Sequence, residues 1–158
     1  MGFALSDMTL TSSAFHRGGP IPAKHTGEGE DVSPALSWRD QPDETKSFAL
    51  ICHDPDAPLV KPGTYGFVHW VLYGIPGSVV ELPEGVGDYL QGSNDFDKRG
   101  YGGPMPPVGH GAHHYFFWLL ALDDDPELEP GLTMWELLAK VEPNVIAMNR
   151  LVGTYTRS

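Results

Sequence analysis

Three stretches of the chain are apolar almost without a break: Ser47 to His53 (SFALICH), Phe67 to Ile75 (FVHWVLYGI) and His114 to Leu122 (HYFFWLLAL). Each is rich in aliphatic and aromatic residues and bounded by Pro, Gly or Asp, so each is predicted as a strand. A strand that met water on one face would alternate apolar with polar positions. These do not, which predicts central strands covered on both faces. Shorter apolar runs, Phe3 to Leu10 and Pro34 to Trp38, flank a Gly- and Pro-containing segment and predict peripheral strands around a long loop.

A helical period appears only late. Thr133 stands three residues before Glu136, the spacing of a reciprocal cap, and Met134, Leu137, Leu138 and Val141 then share one face. Pro143 ends that helix and can open another. Val145, Met148 and Leu151 or Val152 keep helical spacing, so a second helix is expected from Asn144 to Leu151, stopped by Gly153.

The 19 Gly and 15 Pro are spread along all 158 residues, which predicts many short strands joined by ordered loops in one domain spanning 1–158. Asp and Glu outnumber Lys and Arg by 21 to 10, a net charge of −11. That balance opposes a general electrostatic grip on nucleic acid or anionic membranes, so any bound anion must be held locally. Lys61, Pro76, Pro83 and many Gly keep every apolar run short of the roughly eighteen residues a spanning helix needs. Cys52 is the one cysteine, which excludes an intramolecular disulfide, and Met1 to Asp7 lacks the basic and apolar segments of a secretory signal. A cytoplasmic location is the expectation.

Three constellations could carry chemistry. Asp54-Pro55-Asp56-Ala57-Pro58 follows the first strand, and its two prolines restrict the loop and aim two carboxylates. The same residues would equally make an Asp-Pro turn that hydrogen-bonds its own backbone. His69 lies before Trp70 inside an apolar strand, where an imidazole must either find a core partner or face a cavity. The run from Tyr101 to Tyr115 (YGGPMPPVGHGAHHY) combines glycines that permit close approach to a ligand with prolines that hold shape, as would any ordered connection between strands.

In this order the segments give Asp-Pro-Asp-x-Pro, then His-Trp on the next strand, then Gly-Pro-x-Pro-Pro-x-Gly leading to His-x-Tyr. The set resembles the phosphatidylethanolamine-binding protein family, in particular its bacterial and archaeal Raf kinase inhibitor-like members, and covers nearly the whole chain. Ile21-Pro22, Val32 to Trp38, Lys46 to Leu50, Asn94-Asp95 and Gly153 to Tyr155 also look like family positions.

The resemblance implies a mainly β, Greek-key fold with a large antiparallel sheet, a smaller sheet and short C-terminal helices. It implies an anion pocket formed by Asp54, Asp56, Pro58, His69, His113 and Tyr115, with Gly109 shaping the floor, and a cis Ala57–Pro58 bond. It further implies a homodimer. His114 departs from the pattern, because the family usually has Arg there. Arg is always charged and bidentate, whereas an unperturbed His is mostly neutral at pH 7. A supporting ion pair is therefore expected to be lost or rebuilt.

Imidazoles, a phenol and loop N–H groups can donate to phosphate oxygens while Asp54 fixes a histidine tautomer. The motifs offer no nucleophile, and no Ser stands in a Gly-x-Ser-x-Gly setting. The expectation is therefore a protein without enzymatic activity or cofactor that binds phospholipid head groups, phosphorylated or carboxylated small molecules, or a phosphorylated protein segment. Modulation of a partner kinase or hydrolase is a second reading. A zinc hydrolase using His53, His69, His110, His113, His114, Asp54 and Asp56 is the alternative. Tyr73 and Trp135 are candidates for either a dimer surface or the core.

Overall fold

A computed structural model describes residues 5–57 and 66–158. Its strands are β1 (Thr9–Thr11), β2 (Leu36–Arg39), β3 (Ser47–Asp54), β4 (Phe67–Pro76), β5 (Glu81–Leu82), β6 (Leu90–Gln91), β7 (His113–Leu122) and β8 (Val145–Tyr155), with helix α1 (Met134–Val141) between the last two. Pro58 and the Ala57–Pro58 peptide lie outside the described residues.

The three apolar stretches are β3, β4 and β7, and they sit side by side in a five-stranded antiparallel sheet of order β6-β4-β3-β7-β8. Omitting β5, the strands β3, β4, β6 and β7 take the spatial order fourth, first, second, third, which is a Greek key. β1, β2 and β5 form a small second sheet.

Both faces of the large sheet are covered. On one, Phe48, Leu50 and Cys52 of β3 and Phe117, Leu119 and Ala121 of β7 pack with Leu10, Leu36, Trp38 and Leu82 of the small sheet. On the other, Ala49 and Ile51, with Leu120 and Leu122, meet Leu137 and Val141 of α1. Leu137 is fully buried, a contribution of roughly 1.5–3 kcal/mol for a side chain of this size. The predicted cap closes α1: Thr133 accepts from the Glu136 backbone N–H while the Glu136 side chain accepts from Thr133 N–H. Tyr73 belongs to the core, its hydroxyl donating to Glu129 O at 2.6 Å, whereas Trp135 is exposed on α1.

The second predicted helix is a correction. Pro143 lies in a single 3₁₀ turn, Glu142–Asn144, and Val145–Tyr155 then runs as β8, paired with β7 from His113↔Tyr155 to Leu122↔Val145. The helical spacing of Val145, Met148 and Leu151 competes with a strand pattern in which Ala147, Leu151 and Gly153 are buried, and a full ladder with β7 decides the contest. Gly153 stops nothing: a Cβ there would stand 2.6 Å from the Phe15 ring and 2.7 Å from Ile21, so its small size lets the N-terminal segment lie on the sheet. No helix among the described residues is long and apolar enough to cross a membrane.

Candidate functional site

The alternation that lays down the core also lays down the site. On the face shared with the small sheet, β3 contributes Phe48, Leu50, Cys52 and then Asp54, while β7 read backwards contributes Ala121, Leu119, Phe117, then Tyr115 and His113. The apolar series therefore ends, at one edge of the core, in a carboxylate, a phenol and an imidazole.

His69 joins them through a break in register. Cys52 pairs with Trp70, but the next residue, His53, pairs with Val68, which leaves His69 as an extra residue on β4. Such a bulge re-aims a side chain, and here the His69 ring lies edge-on to Tyr115, centroids 5.2 Å apart. After β3 the chain passes so close to Gly66 that a Cβ there would meet Asp54 O at 2.2 Å; its φ of +80° also favours glycine.

Asp54, His69, His113 and Tyr115 line one cavity of about 220 Å³, with Ala57, Phe67, Phe96, Met105, Pro106 and Pro107 as its remaining walls. The loop wall is stapled to β4 on both sides. Gly102 N–H donates to His69 O at 2.9 Å, and His69 Nδ1–H donates to Gly102 O at 2.7 Å. Asp31 fixes the next residue by accepting from Gly103 N–H at 2.7 Å. Phe96 is held by Asn94, whose side-chain oxygen accepts from its N–H at 2.9 Å.

Two polar systems meet the cavity. Asp54 Oδ2 accepts from His113 Nδ1 at 2.7 Å, and His113 Nε2 lies 2.6 Å from His110 Nδ1. A carboxylate only accepts, so His113 Nδ1 carries a proton, and the contact with His110 engages its other ring nitrogen. Asp54 Oδ1 accepts from Asp56 N–H at 2.8 Å.

The second system is open. The Gly102 carbonyl holds the His69 proton on Nδ1, so Nε2 presents a lone pair, and the Tyr115 hydroxyl bonds to no other described residue. Burial pushes His69 below the ordinary histidine value, overriding the Gly102 carbonyl and Asp54, which favour its charged form. Burial, then the negative charge of Asp54, pushes the Tyr115 phenol far above its usual value, so it stays a donor. Burial likewise raises the thiol of Cys52, which does not line the cavity.

The structure therefore brings together Asp54, His69, His113 and Tyr115 from the predicted set, and leaves two others outside the lining. Asp56 turns away, its Oδ2 accepting from both the backbone N–H and ring Nδ1 of His114. Burial raises the Asp56 carboxyl, but those bonds outweigh it and hold the group below its usual value. Gly109 does not form the floor. It lies in an exposed turn with φ of +75°, its N–H donating to Arg157 O. The apolar walls Phe67 and Phe96 and the closing role of His110 escape sequence reasoning, although the motif run already contained Met105, Pro106, Pro107 and His110.

Comparison with known proteins agrees with this fold. The family model described as phosphatidylethanolamine-binding protein matches residues 11–156. A UPF0098 protein of Aquifex aeolicus is 43% identical over 157 residues, spanning 95% of this chain and 89% of that one. One from Methanothermobacter thermautotrophicus is also 43% identical, spanning 95% and 99%. Among solved structures, the phosphatidylethanolamine-binding protein homologue CT736 of Chlamydia trachomatis superposes with a TM-score of 0.89 at 39% identity, covering 96% of this chain and 98% of that one. YbcL of E. coli, described as a member of the mammalian PEBP family, gives 0.88 at 31%, covering 97% and 100%.

Proposed function

The chain belongs to the phosphatidylethanolamine-binding protein family, and from that premise we propose that it is a non-catalytic binding protein for a phosphate-bearing group, seated between His69 and Tyr115. The observation that carries this reading is the pairing of an open hydroxyl donor and an open imidazole in a small cavity whose other polar side chains, among the described residues, are already hydrogen-bonded. Such a cavity leaves few ways to hydrogen-bond a ligand, and it charges none of its satisfied groups a desolvation cost when water leaves.

A binding role suits the lining, which among the described residues includes no Ser, Thr, Cys or Lys, and whose Asp54 and His113 are engaged with each other. The zinc hydrolase draws less support: no cluster of three or more His, Cys, Asp or Glu among the described residues is disposed to hold a metal ion, and both nitrogens of His113 are engaged. The exposed side chains of Phe96 and Met105 at the mouth favour a ligand whose phosphate is attached to something apolar. A phospholipid head group or a phosphorylated segment of a partner kinase or hydrolase would meet that requirement.

Titration calorimetry with inorganic phosphate tests the reading on the wild type, Tyr115→Phe and His113→Asn. Binding in the wild type that weakens at least several-fold in Tyr115→Phe is the expected result. Equal binding in all three would move the ligand out of this cavity.

A further inference from the structure

Among the described residues the open groups of the cavity are one donor and one acceptor, and that asymmetry narrows the ligand. Tyr115 O–H donates; the His69 lone pair on Nε2 accepts, because its proton is fixed on Nδ1 by the Gly102 carbonyl at 2.7 Å. No Lys or Arg lines the cavity among the described residues, and the neighbouring carboxylate of Asp54 is an acceptor. A ligand that satisfies both open groups must therefore offer an acceptor oxygen and a proton side by side.

The geometry points to a pocket that selects phosphomonoesters carrying their own proton over phosphodiesters. This rests on the phosphate-binding reading above and deepens it. A monoester in its monoanionic form has a P–O–H to donate to His69 Nε2 and unprotonated oxygens to accept from Tyr115. A diester has no such proton. It leaves the His69 lone pair facing an anionic oxygen unless His69 is itself protonated, and burial opposes that charge. The charged or titratable groups acting on His69 are Asp54 and Asp95, which favour protonation, and His53, which opposes it; Tyr115 packs against its ring. The phosphate of an intact glycerophospholipid is a diester, so the inference favours soluble monoesters or a phosphorylated side chain over an intact lipid.

The test compares methyl phosphate with dimethyl phosphate, by calorimetry on the full chain at pH 6.0. There about half of a monoester is monoanionic, its second pKa being about 6. Methyl phosphate should bind about tenfold or more tightly than dimethyl phosphate, and Tyr115→Phe should weaken it. Equal or tighter binding of the diester overturns the selectivity and leaves the phosphate site standing, whereas failure of both ligands to bind overturns the phosphate site and the inference with it. A ³¹P titration gives an independent readout. Bound methyl phosphate should keep the monoanion shift up to pH 7.5, and a bound dianion shift there would overturn the shared proton.

Discussion

Asp56 Oδ2 accepts two hydrogen bonds from a single residue, His114, one from its backbone N–H at 2.8 Å and one from its ring Nδ1 at 2.6 Å. His114 is the position at which the motif departs from the family resemblance, and its partner here is Asp56. The His114 and Asp56 side chains are 50% and 41% exposed, and neither lines the cavity.

That exposure fixes the prediction for the pair. An ion pair or hydrogen bond in water contributes about 0–1 kcal/mol, so Asp56→Asn should lower stability by no more than about 1 kcal/mol in urea unfolding. Phosphate affinity should stay within about twofold, because no atom of the pair reaches the pocket. A tenfold loss of affinity would show that the Asp56 side chain, by holding His114, orders the turn beside Asp54.

The buried counterpart behaves differently. Asp54 and His113 are 3% and 2% exposed and 2.7 Å apart. Asp54→Ala strands the His113 Nδ1–H and the Asp56 N–H, at a cost of about 1.5–3 kcal/mol for bonds to a charged acceptor. Asp54→Asn keeps one acceptor oxygen and should cost less. The order of the urea midpoints, wild type above Asn above Ala with an unchanged m value, checks this.

Much of this arrangement was legible in the sequence, for reasons that differ from element to element. Asp54, His113 and Tyr115 are at even spacing from Cys52 and Phe117, so the period of two already places them on the same side as the core. The same parity turns His114 away. His69 could not be placed by parity, because it sits at a bulge whose existence depends on pairing with β3. β8 is opaque for a related reason: its spacing fits a helix, and only the long-range ladder with β7 makes it a strand. Phe67 and Phe96 carry no local signal of their role, because nothing in the neighbouring sequence says that a wall will stand beside a void.

The cap on α1 gives a test of local stability separate from the site. Thr133→Ala removes the side-chain acceptor for Glu136 N–H, 3.2 Å away, and should cost about 1 kcal/mol. Since α1 covers Ile51 and Leu122 on the face opposite the cavity, phosphate affinity should not change. A change would reveal coupling through the sheet.

The depressed pKa of His69 makes stability depend on pH in a definite direction. In the unfolded chain the ring titrates near 6.5, and in the native protein burial lowers it. Below 6.5 the unfolded state therefore binds a proton that the native state does not, so this contribution is fully present above 6.5 and is lost as pH falls through the native value. Within that window the slope approaches about 1.4 kcal/mol per pH unit. Asp56 has the same sign but acts lower, between its ordinary value of 3.8 and its depressed native one, so the two are separable. His69→Gln should remove the near-neutral slope, read from urea midpoints at pH 7.5, 6.5 and 5.5, and leave the acidic one, read from midpoints below pH 4. Phosphate should oppose the loss in the wild type, because a bound anion favours the proton shared with His69 and so stabilises the native state more at pH 6 than at pH 8. Parallel curves for wild type and His69→Gln would mean that the ring is not held neutral, and the acceptor role assigned to its Nε2 would fall.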